Sequence, residues 1–153
     1  MKTVHYELSE KIRLTLASGA RIPTYATEDS SGADIYACLP DSDYVLEAGA
    51  FAMIPTGIKI EISSGYEVQI RPRSGLAAKY GITVLNSPGT IDADYRGEVR
   101  VILINHSNKA FTIEHGSRIA QMVFTKTYKA EFTLSNKLNN TSRGEGGFGS
   151  TGT

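Results

Sequence analysis

Apolar residues in this chain recur at every second position, in short runs cut by turn residues, and that alternation limits what the chain can fold into. Ile58-Lys59-Ile60-Glu61-Ile62 alternates strictly, as does Tyr66-Glu67-Val68-Gln69-Ile70-Arg71. Side chains on a strand point to opposite faces in turn, so each run predicts a strand with one buried face. Val99-Arg100-Val101-Ile102-Leu103-Ile104 starts alternating and ends wholly apolar. Its second half should be buried on both faces, in a sandwich core or against another subunit. Further strands are expected at 13–16, 34–38, 51–54, 82–85, 110–113, 119–125 and 131–134, separated by turn signals such as Ser18-Gly19, Ser64-Gly65 and Ser87-Pro88-Gly89. Only Ser74-Gly75-Leu76-Ala77-Ala78-Lys79-Tyr80 has helical character, with Ser74 expected as its cap and Gly81 as its stop. Many short strands and one short helix predict an all-β barrel or jelly roll.

Composition narrows the class further. A chain of 153 residues, 41% hydrophobic and 21% charged, suits one self-sufficient globular domain. Lys plus Arg number 16 and Asp plus Glu number 16, so the basic excess of a general nucleic-acid binder is missing. Cys38 is the only cysteine, so no internal disulfide can form, which fits a reducing compartment. The segment 1–9 is polar, unlike a secretory leader, and no run approaches the length of a membrane span. A soluble cytoplasmic protein is therefore expected, with no nucleic-acid or membrane partner.

The character of the chain changes after Leu138. Residues 139–153 hold five glycines and one large apolar side chain, Phe148. The expected organisation is a β domain over 1–138 and a flexible C-terminal segment over 139–153. Within that segment, Arg143-Gly144-Glu145-Gly146-Gly147-Phe148-Gly149 combines a cation, an aromatic ring and open backbone N–H groups, the parts of a lid over a base and a phosphate. A plain mobile terminus is the alternative. Gly144, Gly146 and Gly149 also satisfy G-x-G-x-x-G. The dinucleotide fingerprint, however, must follow a strand and open a helix, and only four residues follow Gly149.

Two segments carry chemistry most directly. Pro72-Arg73-Ser74-Gly75-Leu76-Ala77 joins a strand to the short helix and reads as a phosphate cradle or as a capped surface helix. Gly89-Thr90-Ile91-Asp92-Ala93-Asp94-Tyr95-Arg96-Gly97 reads as a hairpin on which Asp92 and Tyr95 could face a pocket. Asp92 would take a proton from water and Tyr95 would pack on a sugar; alternatives are an Asp92/Asp94 metal pair and an acidic turn. Asp34, leading into a strand, could orient waters around a cation or stabilise a turn. Gln121 could donate to phosphate or face solvent. His5, His106 and His115 form no metal-ligand spacing and no nucleophile triad.

Ala33-Asp34-Ile35, Pro72-Arg73-Ser74-Gly75-Leu76, the segment 89–97, Arg118-Ile119-Ala120-Gln121 and the segment 143–152 stand in one order along nearly the whole chain after residue 11. That set closely resembles the five-motif signature of the homotrimeric deoxyuridine triphosphatase (dUTPase) family. The resemblance implies a jelly-roll-like subunit in a threefold homotrimer with three shared active sites. It implies Mg²⁺-assisted hydrolysis of dUTP to dUMP and pyrophosphate, limiting uracil in DNA and supplying dUMP for thymidylate synthesis. Carried over by position, Asp92 would orient the water that attacks the α-phosphorus. Tyr95 would pack under deoxyribose and exclude a 2′-hydroxyl, and Asn86 with the backbone near Thr90 and Ile91 would read uracil. Arg100 would also touch the nucleotide. Arg73, Ser74, Gly75 and Gln121 would hold phosphates. Asp34 would hold waters around Mg²⁺, whose direct ligands would be triphosphate oxygens. Arg143 would meet the γ-phosphate, Phe148 would stack on uracil, and Gly149 and Ser150 would complete the lid. Two other readings compete. A deoxycytidine triphosphate deaminase of related fold would need a general acid/base, often a glutamate, at the cytosine amino group. A nucleotide-dependent regulator would use the same fold to bind a partner protein.

Overall fold

The computed structural model describes residues 11–148. Within them the chain forms eleven strands and one helix. The strands are β1 (Arg13–Leu16), β2 (Thr24–Tyr25), β3 (Ala33–Tyr36), β4 (Tyr44–Leu46), β5 (Phe51–Glu61), β6 (Tyr66–Arg71), β7 (Ile82–Val84), β8 (Gly89–Ile91), β9 (Val99–Asn105), β10 (Phe111–Ile113) and β11 (Arg118–Lys126); α1 spans Ser74–Tyr80. All pairings are antiparallel. A four-stranded sheet has the order β1-β5-β9-β7 and a five-stranded sheet the order β2-β3-β11-β6-β8; β10 and β4 form a short ribbon. The all-β, jelly-roll-like architecture with one short helix is therefore present.

Inward residues of both large sheets meet in one core. Ile58, Val101 and Leu103 come from the first, and Ile35, Val68 and Ile119 from the second. Each such side chain contributes roughly 1.5–3 kcal/mol by leaving water. Asn105 is a fully buried polar member of this interior. Its Nδ2 donates to the Leu46 carbonyl (3.0 Å) and to the Lys109 carbonyl (2.8 Å). Its Oδ1 accepts from the Ser107 N–H (2.9 Å) and hydroxyl (2.8 Å). This one amide thereby fixes the turn after β9 to the end of β4.

The expected strands at 51–54 and 58–62 are one element. β5 runs through Pro55-Thr56-Gly57 by bulging: Pro55 pairs with Arg100, but Ile58 already pairs with Val99. Gly57 takes φ +68°, and a Cβ there would stand 2.7 Å from Ala20 Cβ. Glycine is thus required both for the left-handed backbone and for space. Ser74 is not the helix cap. Arg73 occupies that place with extended backbone and no side-chain cap bond, while Gly81 (φ +67°) closes the other end as expected. Residues 131–134 alternate in sequence but form no strand. Alternation supplies propensity, and among the described residues this stretch has no neighbouring strand to pair with.

In β9, Val99, Val101, Leu103 and Asn105 point inward and are buried, whereas Ile102 and Ile104 are only half covered. The second half of β9 is therefore not sealed on both faces within a single chain. The outward face continues onto β5, where Met53 pairs with Ile102 and Phe51 with Ile104. Phe51 is 65% and Met53 57% exposed. From 127 to 148 there is no helix or strand, and Phe132 and Leu134 lie fully open to solvent. Among the described residues, no helix is long and apolar enough to cross a membrane.

Candidate active site

The hairpin after α1 builds a cavity of about 230 Å³. β8 is held by β6, with Ile70 opposite Gly89 and Val68 opposite Ile91. A Cβ at Gly89 would come within 3.2 Å of Asn86 Nδ2, so glycine lets the Asn86 amide lie over the strand. The turn that follows is closed by the Tyr95 N–H on the Asp92 carbonyl (3.1 Å). Arg96 braces it by donating to the carbonyls of Ala93 (2.7 Å) and Tyr95 (2.9 Å). Six residues singled out in the sequence line this one cavity: Asn86, Thr90, Ile91, Asp92, Tyr95 and Arg100. Asp92 is exposed, and its carboxylate has no hydrogen bond or ion pair among the described residues. It stands free to bind water.

The Tyr95 ring is set by two neighbours. Its hydroxyl donates to the Glu98 carbonyl (3.0 Å). The hydroxyl end of the ring lies close against Gly97, where a Cβ would stand only 2.3 Å from the hydroxyl oxygen. Glu98 also lines the cavity and was not singled out by its sequence. Its Oε1 accepts the Gly57 N–H (2.9 Å) and its Oε2 accepts Arg100 Nε (2.8 Å). Burial alone would raise the Glu98 carboxyl, but the Gly57 N–H and the Arg100 guanidinium outweigh it and hold the group below the usual carboxylate range.

Asp34 and Arg73 are placed elsewhere. Asp34, on β3, is 3% exposed. Its Oδ1 accepts Arg73 Nε (3.0 Å) and its Oδ2 accepts Arg118 Nη1 (3.3 Å). Gln121 is the register partner of Asp34 on β11, and the absence of a Cβ at Gly32 leaves space for its side chain. Arg73 and Arg118 line a second cavity of about 550 Å³ together with Arg21, whose guanidinium lies 4.3 Å above the Tyr36 ring. Three guanidiniums against one carboxylate make this a cationic recess. The sequence marked Arg73 and Gln121 but assigned nothing to Arg118 or Arg21; their shared cavity joins segments far apart in the chain. Ser74 and Gly75 sit at the adjoining helix start, where a Cβ on Gly75 would meet no atom within 4 Å. Nothing inside the chain requires glycine there.

The described residues of the tail, up to Phe148, line neither cavity. Arg143 Nε donates to the Gly146 carbonyl (2.7 Å), and Phe148 is fully exposed. Gly149 and Ser150 lie outside the described residues. Among the described residues, no three His, Cys, Asp or Glu side chains converge to hold a metal ion.

With this geometry in place, comparison with known proteins is direct. The family model described as dUTPase matches residues 18–152, most of the chain. The chain belongs to the dUTPase family. The deoxyuridine 5'-triphosphate nucleotidohydrolase of Roseobacter denitrificans is 54% identical over 145 residues, covering 92% of this chain and 95% of that protein. Among solved structures, the Staphylococcus bacteriophage 80alpha dUTPase with dUPNHPP superposes with a TM-score of 0.84 at 25% identity, covering 95% of this chain and all of that one. A mutant dUTPase from phage phi11 of S. aureus, described with a structural Mg(II) ion, shares the fold at a TM-score of 0.76 and 21% identity, covering 86% of this chain and all of that one. The dUTPase match spans both cavities and continues through the tail.

Proposed function

We propose that this chain is a dUTP diphosphatase that hydrolyses dUTP to dUMP and pyrophosphate by water attack on the α-phosphorus. The observation that carries the reading is the hairpin cavity, which gathers Asn86, Thr90, Ile91, Tyr95 and Arg100 around an unpartnered Asp92. Thr90, Ile91 and the Asn86 amide present backbone and amide groups suited to the polar edge of uracil. Tyr95, held close against Gly97, offers its ring to deoxyribose. Asp92 holds and aims the water, a task of orientation that a free carboxylate can perform. Arg73, Ser74, Gly75 and Gln121 serve the phosphates, and Gly75 gives open space for their approach. Arg143, Phe148, Gly149 and Ser150 close the site from the tail. The reaction keeps uracil out of DNA, and its product supplies thymidylate synthesis.

The donor set speaks against a metal cage made by the protein. Asp34 already accepts from two guanidiniums, and among the described residues no acidic cluster stands beside it. It fits a cation carried on triphosphate oxygens, because a carboxylate has about four acceptor sites and Asp34 retains lone pairs for bridging waters. Mg²⁺ bound in this way would offset charge on the triphosphate.

A threefold homotrimer with shared sites accounts for three features together. On the apolar outer face of β5 and β9, Phe51 and Met53 are exposed in one chain, and Met53 and Ile102 belong both to that face and to the wall of the hairpin cavity. A second copy on this face would therefore border the site. The cationic recess around Arg73 is a separate cavity, and the described tail residues, up to Phe148, line neither. Residues 127–148, with exposed Phe132 and Leu134, read as an arm that packs on another subunit, and residues 139–153 as its lid.

Pyrophosphate release measured across dUTP, dTTP, UTP and dCTP tests the function. We expect turnover of dUTP with strong discrimination against the others; comparable kcat/KM for dTTP would refute the pocket. The dCTP arm also tests the deaminase reading. Against that reading, the one cavity glutamate, Glu98, has both oxygens engaged.

A further inference from the structure

Glu98 joins three parts of the pocket rim through one residue. Its Oε1 accepts the N–H of Gly57 at the β5 bulge, its Oε2 accepts Nε of Arg100, and its main-chain carbonyl accepts the Tyr95 hydroxyl. The bulge is a fixed point. Gly57 holds a left-handed backbone with no space for a Cβ, and Thr56 beside it donates its hydroxyl to the Val99 carbonyl (2.5 Å). Arg100 is otherwise a half-exposed side chain on the rim. Its Nε is taken by Glu98, while its terminal nitrogens have no partner among the described residues.

We propose that Glu98 is a positioning residue, clamping Arg100 against the rigid bulge so that the terminal N–H groups of its guanidinium meet an acceptor oxygen of the bound deoxynucleotide. This rests on the hairpin cavity being the nucleotide site. An unclamped arginine samples many rotamers, and binding must then order it. The carboxylate also cancels the arginine's charge, so the clamp contributes direction rather than net attraction. The two effects have opposite signs. If only charge mattered, removing the carboxylate would tighten binding of a polyanion. If the clamp matters, removing it weakens binding. Because Arg100 does not touch the reacting atoms in this scheme, the change falls on KM rather than kcat.

Glu98→Gln separates the two. The glutamine carbonyl still accepts from Gly57, but its amide group cannot accept from Arg100. The variants Glu98→Gln, Arg100→Gln and the double mutant would be assayed with dUTP, and their Kd measured for its non-hydrolysable imido analogue. We expect Glu98→Gln to raise KM and Kd about fivefold to tenfold, with kcat within about twofold. Arg100→Gln should do the same, and the double mutant should be no worse than Arg100→Gln alone. Unchanged or tighter binding in Glu98→Gln, or additive losses in the double mutant, would overturn the clamp. If Glu98→Gln does not fold, Arg100→Gln decides, since it leaves the Gly57 bond intact: an unchanged KM there overturns the proposal. Wild-type turnover is the internal check. Its absence would refute the reading of the pocket itself, whereas turnover indifferent to Glu98 refutes only the clamp.

Discussion

Replacing Gly97 by alanine should damage catalysis while sparing the fold, and the structure sets the size of the effect. A Cβ at position 97 would stand 2.3 Å from the Tyr95 hydroxyl oxygen, 2.5 Å from Cζ and 2.9 Å from Cε2. Ordinary contact begins at 3.4 Å, so the ring must withdraw by roughly 1 Å, a displacement that can cost about 10²-fold in an active site. The same movement breaks the bond from Tyr95 to the Glu98 carbonyl. The backbone has no objection, because Gly97 is not among the glycines with positive φ. The ring is half-exposed and can yield, so stability should fall by less than about 1 kcal/mol. We expect kcat/KM for dUTP to drop about 10- to 100-fold, with preference over UTP shrinking as the ring leaves its place under the sugar. Steady-state kinetics on both nucleotides and a thermal melt measure this, with Tyr95→Ala as the reference background. In that background the added Gly97→Ala change should do nothing further. A kcat/KM within about threefold of wild type, or an effect that persists without Tyr95, would refute the reasoning.

Four other outcomes are expected. Asp92→Asn keeps nucleotide binding but lowers kcat about 10²- to 10⁴-fold, checked by single-turnover kinetics beside a binding titration. Asn105→Ala removes the amide's bonds to the Leu46 and Lys109 carbonyls and to the Ser107 N–H, and costs roughly 2–4 kcal/mol, read from the urea midpoint at constant slope. The Glu98 carboxyl is held below its ordinary value of 4.5, so its contribution to stability is present above that value and lost as pH falls through the lowered one. Melting temperature should therefore fall less steeply below about pH 4.5 in Glu98→Gln than in wild type. Finally, an Asp92→Asn chain with an intact tail, refolded together with a chain ending at Asn140, should regain turnover in hybrids confirmed by native mass. Confirmed hybrids without activity would exclude a tail that acts on another subunit.

The strands most legible in the sequence were those with enough residues to show a period. β6 stands where its alternation placed it, and β9 lengthens by one residue to take in Asn105. β2 and β4 were not read from the sequence, since Thr24-Tyr25 is too short to show a period and Tyr44-Val45-Leu46 does not alternate, and each is recognised through its partner strand. β5 was divided at Pro55-Thr56-Gly57 because proline and glycine read as punctuation. In the structure the same residues make a bulge, and the strand continues past it. The stretch 131–134 shows the converse, alternation without a partner strand among the described residues.

Residues lining the two cavities of the candidate site were legible as two groups, though not in how each is held. Asn86, Thr90, Ile91, Asp92 and Tyr95 are near neighbours in sequence, so a hairpin brings them together almost by its own geometry. The Asp34 pairing with Arg73 and Arg118 spans separations of 39 and 84 residues, which no local pattern records. Glu98 shows why such links matter. In sequence it is one charge following Gly97, and nothing in its spacing marks it. Its significance arises only because the β5 bulge, 41 residues away, turns the Gly57 N–H out of the ladder and toward it. A buried N–H in that position needs an acceptor, and a carboxylate that supplies one has a second oxygen left over. That oxygen is the one that holds Arg100. A requirement of the fold and the geometry of the pocket rim thus meet on one side chain.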